Sequence, residues 1–585
     1  MKLVYILSIL YLVVSFLLYK KTDKKVCILA SIIYTVGLLF CYNVVIVSIY
    51  SFFNIEGSLL VLSLINYLIG SILNIISLKK KEIQEYSFKR VELLAILGII
   101  GVVFLVVCFR FRGFKTISYE SSDSTIHYRH AVVFSEELEV LNKTNSKDLV
   151  YDNFDRAMSI SYINCGLMIN IFSDIPTYLV FIYFDCFCLI LSTLLFFITI
   201  FNIFGKKKIF YSLILSLIYF LGFPLNNLVF GFCYLGLGVM VVNLLFLTVF
   251  SIKDFNKKLL FKLLILFIIN FTIFFSYYLF MPCVYLALGL YFIYLWKKKK
   301  LTFKNLLIYG SVTLVIPFVI GFVYFILPGF INTGNGNIFT HVNLEGYIYN
   351  NKITKYFFCL LILIYIIRIF MKKEKINYFN FNFMIINLYV LLFFILYVID
   401  MVGLYYFYKL FYLYWLFAIM FIGNLLYKRT YYLYTIFVFI IMAMTFVYVS
   451  PYNLFSTFLI KNNIFSWNAM TFLDEKIIFT ENELELMKNS VKYEDKCEID
   501  KEFLISGHRF KNNWYYSYSG NVPLYGYQYG RIGQIGDFNI TFDFWKSLDE
   551  YKCLIYFYED ENVKYEKNEF DILYSNNEGA ILMKK

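Results

Sequence analysis

The segment Tyr119-Glu-Ser-Ser-Asp-Ser-Thr-Ile-His-Tyr-Arg-His130 carries residue types at a spacing that can do chemistry. Ser122 or Asp123 would cap a helix running to about Leu141. On that helix Asp123, His127 and His130 fall at i, i+4 and i+7 and share one face, with Tyr128 beside them. A carboxylate at a helix N-terminus is held ionised by the helix dipole and by free N–H groups. It suits an acceptor of a hydroxyl proton, or a ligand for a divalent cation. The same pattern also fits a plain N-cap followed by solvated histidines. Mg²⁺ or Mn²⁺ are the metals that this face would hold, yet hard oxygen ligands are sparse there. No permanently bound metal or other cofactor is expected. Glu120 is the alternative acid if the helix opens a turn earlier.

Other polar residues stand out by their surroundings. Arg110, Arg112 and Lys115 follow an apolar run, where they would either meet a phosphate or snorkel to headgroups. Lys409 stands alone among aromatics in Asp400-Met-Val-Gly-Leu-Tyr-Tyr-Phe-Tyr-Lys409, able to meet a lipid phosphate, pair with Asp400 or snorkel. Asp185 lies about three turns inside an apolar run. An intramembrane carboxylate costs about 2.5–3.5 kcal/mol on insertion scales, so it should face a cavity or a partner. His341, in Gly334-Asn-Gly-Asn-Ile-Phe-Thr-His341, belongs to a glycine-rich loop able to cover a site.

The elements that must position these groups are membrane spans. Of 585 residues 60% are hydrophobic and 16% charged, and the mean hydropathy is +0.68. That is too little charge to cover a soluble protein of this length. The apolar residues form about 14 runs near the ~20 residues needed to cross a bilayer. The fold class expected is an all-α polytopic membrane bundle. Its first four spans occupy 1–109, a large loop 110–175, and ten further spans 176–449 with a loop at 329–355. The net charge of +13 comes from clusters such as Lys206-Lys207-Lys208 and Lys297 to Lys300, which fall on alternate loops. That asymmetry predicts both termini outside the cytoplasm and argues against a nucleic-acid partner. All four histidines then lie in segments on the outer side. Abundant Lys, Asn, Ile, Phe and Tyr point to an AT-rich, bacterial genome.

Residues 450–585 read as a small α/β domain outside the membrane. Thr480-Glu-Asn-Glu483 is a capping box opening a helix over 481–492, and short strands are expected near 503–506, 553–558, 570–574 and 580–583. The stretch Trp514 to Tyr529 reads as loop. Most of the 11 cysteines behave as small hydrophobes; Cys497 and Cys553 share this domain and are free or bridged.

A multi-spanning chain whose first large outer loop opens with an acidic residue and a helix of the form Asp-x-x-x-His-Tyr resembles the GT-C glycosyltransferase superfamily, in particular its bacterial envelope members. The segment Asp152-Asn-Phe-Asp155-Arg156, leading through an amphipathic stretch (Tyr162 to Phe172) into the fifth span, and the C-terminal domain with Ser506-Gly-His-Arg-Phe are similar in arrangement. The resemblance implies a sugar donor carried on polyprenyl phosphate and a glycan, lipid or protein acceptor. It implies single displacement with inversion, and by position Asp123 as general base. His127, Tyr128, His130, Arg110, Arg112, Asp185, His341 and Lys409 would then be substrate-binding. A lipid-linked glycan transporter or flippase, and an envelope polysaccharide polymerase, are the alternatives. No Walker loop, dinucleotide fingerprint, Cys-x-x-Cys pair or serine elbow is present, which sets soluble-nucleotide chemistry aside.

Overall fold

The structure, a computed structural model, describes residues 1–19, 26–53, 55–79, 86–119, 123–138, 159–205, 208–257, 259–323, 352–370, 378–399, 401, 404–449, 463–471, 479–497, 503–505, 514, 552–558 and 569–585. The chain runs as helices α1 (Lys2–Tyr19), α2 (Ile28–Phe52), α3 (Leu59–Lys79) and α4 (Arg90–Arg110). Two short helices follow, α5 (Asp123–Glu137) and α6 (Ser159–Ile171). Then come α7 (Thr177–Phe204), α8 (Ile209–Leu221), α9 (Phe223–Phe230), α10 (Cys233–Ser251), α11 (Leu259–Ser276) and α12 (Met281–Lys297). The last part of the bundle is α13 (Phe303–Gly310), α14 (Ile316–Gly321), α15 (Lys352–Phe370), α16 (Tyr378–Val398), α17 (Leu404–Leu426) and α18 (Thr430–Val449).

Eleven helical stretches among the described residues are long and apolar enough to cross a membrane, which makes this a multi-pass membrane protein. Their burial sorts them. In α10, 89% of the apolar window is inside the bundle, against 17% for Phe303–Gly321. The first is therefore a central helix and the second lies on the lipid-facing perimeter. Exposed leucines and valines along α1, α3 and α4 fit the same perimeter. Without a hydrophobic drive between helices in lipid, association relies on close approach and polar links. The pair α1 and α3 shows both. Asn66 Nδ2 donates to Ser8 Oγ (3.0 Å), Asn74 Nδ2 to Ser15 Oγ (2.9 Å), and Gly70 admits the Tyr11 ring.

The helix expected from residue 122 or 123 to 141 ends at Glu137, and Leu138 turns the chain with φ 54°. The stretch expected to be amphipathic is instead α6, buried on nearly all sides. Gly166 allows this: a Cβ there would stand 2.6 Å from both the Ala131 carbonyl oxygen and the Phe134 ring, so α5 and α6 touch backbone to side chain. On its other side Asn164 accepts from Asn43 Nδ2 of α2 (2.9 Å).

Near the C-terminus, Thr480 accepts from the Glu483 N–H and Glu483 from the Thr480 N–H, the expected capping box, and open the helix Glu481–Ser490. Apart from the short parallel pair β1 (Val26–Cys27) and β2 (Tyr86–Ser87) near the other end of the chain, strands β3 (Phe503–Ile505), β4 (Cys553–Phe557), β5 (Phe570–Ser575) and β6 (Gly579–Lys584) form a sheet in the order β3-β4-β6-β5, β3 parallel to β4 and the rest antiparallel. A Cys497–Cys553 disulfide ties the turn after the helix to the first residue of β4. This unit rests on the segment between α4 and α5. The Phe479 N–H donates to the Ile117 carbonyl (2.9 Å), and Lys115 pairs with Glu481 (3.0 Å) on the surface.

Candidate functional site

One end of the bundle gathers the C-terminus of α4, all of α5, and the N-termini of α7, α10 and α17. The junction is the turn between α9 and α10. Pro224 sits in the first turn of α9, and Gly231 ends it at φ 71°, where its N–H returns to Leu228. Only a residue without a Cβ fits there, because Ser124 of α5 and Tyr119 press against the turn. The turn aims Cys233 and Tyr234, the first two residues of α10, in different directions.

Tyr234 faces α5 and α17. Its ring lies 4.6 Å from the His127 ring, and its hydroxyl meets the Lys409 amine at 2.6 Å. The Lys409 Nζ also sits over Phe232, Tyr234 and Tyr277 at 4.8, 5.3 and 5.5 Å from the ring centroids. Lys409 is buried, so this aromatic ring replaces much of its hydration through cation–π attraction. The Tyr277 hydroxyl, at the end of α11, is buried with no hydrogen-bond partner among the described residues. Burial, then the nearby His130 and Lys409 charges, hold the His127 imidazole well below its ordinary pKa. His127 is therefore neutral around pH 7, with one ring nitrogen able to accept.

Cys233 faces α7. Asp185, the ninth residue of α7, is buried and accepts the Tyr119 hydroxyl at Oδ2 (2.7 Å), with the Cys233 thiol as its other neighbour. Burial first, then the Asp185 charge, push the Tyr119 phenol well above its ordinary pKa, so it stays a donor. Tyr128 bonds Thr177 Oγ1 (2.6 Å) and anchors α5 on the start of α7. Trp514 covers this corner, stacked on Tyr119 at 5.8 Å and tilted against Tyr128 at 5.2 Å.

The structure thus brings together most of the residues singled out from sequence. His127, Tyr128, Asp185 and Lys409 lie on adjoining walls of one polar centre. Asp123 is the first described residue of α5; residues 120–122 before it and its own side chain lie outside the described residues. His130 is buried and diverges from His127, its ring packing on Tyr162 of α6 at 5.8 Å. The reading of solvated histidines therefore fails: α5 is clasped by α6, α7 and α10. Arg110 is buried too, and its Nε donates to the Ser118 carbonyl (2.8 Å), bracing the turn before α5. Arg112 is exposed in a φ 46° turn next to it. Glu120, His341 and Asp400 lie outside the described residues.

Tyr119, Gly231, Tyr234, Tyr277 and Trp514 were not identified from sequence. Tyr119 adjoins the motif, and Gly231 precedes an aromatic-Cys-Tyr run, but nothing local marks either as a wall of the centre. Among the described residues, which leave out Glu120 and the Asp123 side chain, no three His, Cys, Asp or Glu side chains converge as metal ligands. No protein-family model, no curated protein and no solved structure matches this chain.

Proposed function

We propose that the protein is a membrane glycosyltransferase of GT-C type, a hexosyl- or pentosyltransferase. It would move a sugar from a polyprenyl-phosphate donor to a glycan, lipid or protein acceptor on the outer face of a bacterial cell membrane. One observation carries the reading. The helix that begins at Asp123 delivers His127 to the same tyrosine that holds the buried Lys409 amine. The helix that carries Asp123 and a desolvated cation thus meet at one polar centre at one end of the bundle.

Each group has a task. Asp123 takes the proton of the acceptor hydroxyl as its oxygen attacks the anomeric carbon. General-base help of this kind contributes roughly 10²–10⁴ in rate. The bond from that carbon to the phosphate oxygen breaks, and the phosphate leaves with the electron pair. Lys409, the Tyr277 hydroxyl and the N-terminus of α10 are the groups suited to that anion. His127, neutral, orients the acceptor by hydrogen bonding. A single displacement inverts the anomeric centre.

The orientation rests on two further facts. Basic clusters fall on alternate loops. The Cys497–Cys553 disulfide suits an oxidising compartment, which favours placing the C-terminal unit outside as an extracytoplasmic domain. Helices occupy each of the fourteen expected positions, counting α1, α15 and α18 in addition to the eleven long apolar ones, which supports fourteen spans. Mass spectrometry of lipid-linked sugars in a deletion strain tests the proposal. Accumulation of one polyprenyl-phosphate sugar, with loss of that sugar from the envelope, is expected; an unchanged profile would end it. A transporter of lipid-linked glycans is the second reading, favoured by the cavity beside the buried Asp185. It predicts that membranes of the deletion strain still transfer the sugar when donor and acceptor are supplied on both faces.

A further inference from the structure

Asp185 has a second oxygen whose position is not explained by the centre above. Oδ2 takes the Tyr119 hydroxyl, whereas Oδ1 is buried and has no donor among the described residues. Asp185 lines a cavity of about 30 Å³ between α7, α8, α9, α10 and α17, room for one or two water-sized occupants. Asn227 of α9 lines the same cavity, and its side-chain oxygen is likewise buried without a donor. Both residues are more than nine-tenths buried. Ser192 and Tyr219 also line it, their hydroxyls 3.2 Å apart, so one of their two hydrogens is spent between them. Gly236 makes the space: a Cβ there would stand 2.5 Å from the Asn227 amide nitrogen and force that side chain to move.

Two buried acceptor oxygens thus stand unpaired at one cavity, beside the Cys188 and Cys233 thiols. The walls also hold a carboxylate that forms no ion pair among the described residues. A water would supply hydrogens and leave the charge. A positive ion compensates the charge and coordinates the unpaired oxygens directly, and an isolated buried charge is too costly to leave uncompensated. One carboxylate with neutral oxygens matches a single positive charge; divalent hard cations gather six or more oxygens, several of them charged.

We infer that this cavity binds a small monovalent cation of the size of Na⁺, held by Asp185, Asn227 and Ser192. The inference does not depend on sugar transfer. Through Tyr119 and Cys233 the ion would brace the two walls of the centre near α5, so its occupancy would set how firmly that centre is assembled.

The test uses the full-length protein in detergent, with choline chloride keeping ionic strength constant while NaCl, LiCl or KCl replaces it. The thermal unfolding midpoint should rise with Na⁺ in a saturable way, at lower concentration than with K⁺, and not at all with choline. Ser192→Ala should weaken the apparent Na⁺ affinity about tenfold or more. Asp185→Asn should abolish the response. If Asp185→Asn does not fold, the wild type and Ser192→Ala decide the matter. Midpoints that are equal in Na⁺, K⁺ and choline would overturn the proposal and leave a water or a protonated Asp185 in the cavity.

Discussion

Gly231→Ala tests whether the turn between α9 and α10 holds the centre together. At φ 71° an L-residue costs about 1–2 kcal/mol. The added Cβ would meet the Ser124 Cβ at 2.4 Å, the Tyr119 ring at 3.1 Å and the Ser124 Cα at 3.2 Å. These atoms belong to the first turn of α5 and to a buried ring, so neither yields without moving a helix; overpacking of that kind costs about 1–3 kcal/mol. Gly113 is the matched control. Its φ is 73°, and a Cβ there would meet nothing within 4 Å, so Gly113→Ala should cost only the backbone share. The two variants should differ by about 1–3 kcal/mol in thermal or denaturant unfolding of the detergent-solubilised protein. Activity should separate further. Ser124 follows Asp123, and a shift of about 1 Å at a reacting group costs on the order of 100-fold. Equal losses of stability and of envelope sugar in Gly231→Ala and Gly113→Ala would refute the claim that this turn supports α5.

Other expectations follow from the same geometry. Tyr119→Phe removes the hydroxyl that Asp185 accepts and should cost about 1.5–3 kcal/mol in unfolding experiments, with the ring packing on Trp514 retained. The folded-state pKa of His127 lies below its unfolded value of about 6.5, so the unfolded chain takes up the proton first. Stability present above about pH 6.5 should therefore fall as pH drops below it, and His127→Asn should flatten that slope in midpoints measured from pH 8 to 5. Cys497→Ser or Cys553→Ser opens a bridge spanning 56 residues and should cost the C-terminal unit about 2–4 kcal/mol, seen as faster proteolysis of that unit alone. Lys409→Met keeps the apolar stem inside its aromatic ring and removes the charge. It should abolish transfer while the protein still accumulates in the membrane.

The sequence was most legible where structure depends on neighbours in the chain. Apolar runs placed the helices, and the Thr480 capping box and the four short strands lie within a residue or two of where pattern put them. Surroundings in the sequence also drew attention to Asp185 and Lys409, both of which are buried at the centre. What periodicity could not supply was the pairing of distant residues. The bond between Tyr119 and Asp185 spans 66 residues, and that between Lys409 and Tyr234 spans 175. The burial of α6 escaped a reading based on alternating polarity because its serines and asparagines are satisfied by other helices, as Asn164 is by Asn43. His127 and His130 share a face by spacing alone. Their separation arises because α10 presses on one and α6 on the other.

The central claim is that Asp123 acts as the base in a transfer from a lipid-phosphate sugar. The direct test complements a deletion strain with wild type or Asp123→Asn at matched membrane levels and measures envelope glycans and lipid-linked sugars by mass spectrometry. The account predicts that Asp123→Asn folds, loses the same sugar as the deletion, and accumulates the same polyprenyl-phosphate donor. A folded Asp123→Asn protein that restores the wild-type profile would contradict it.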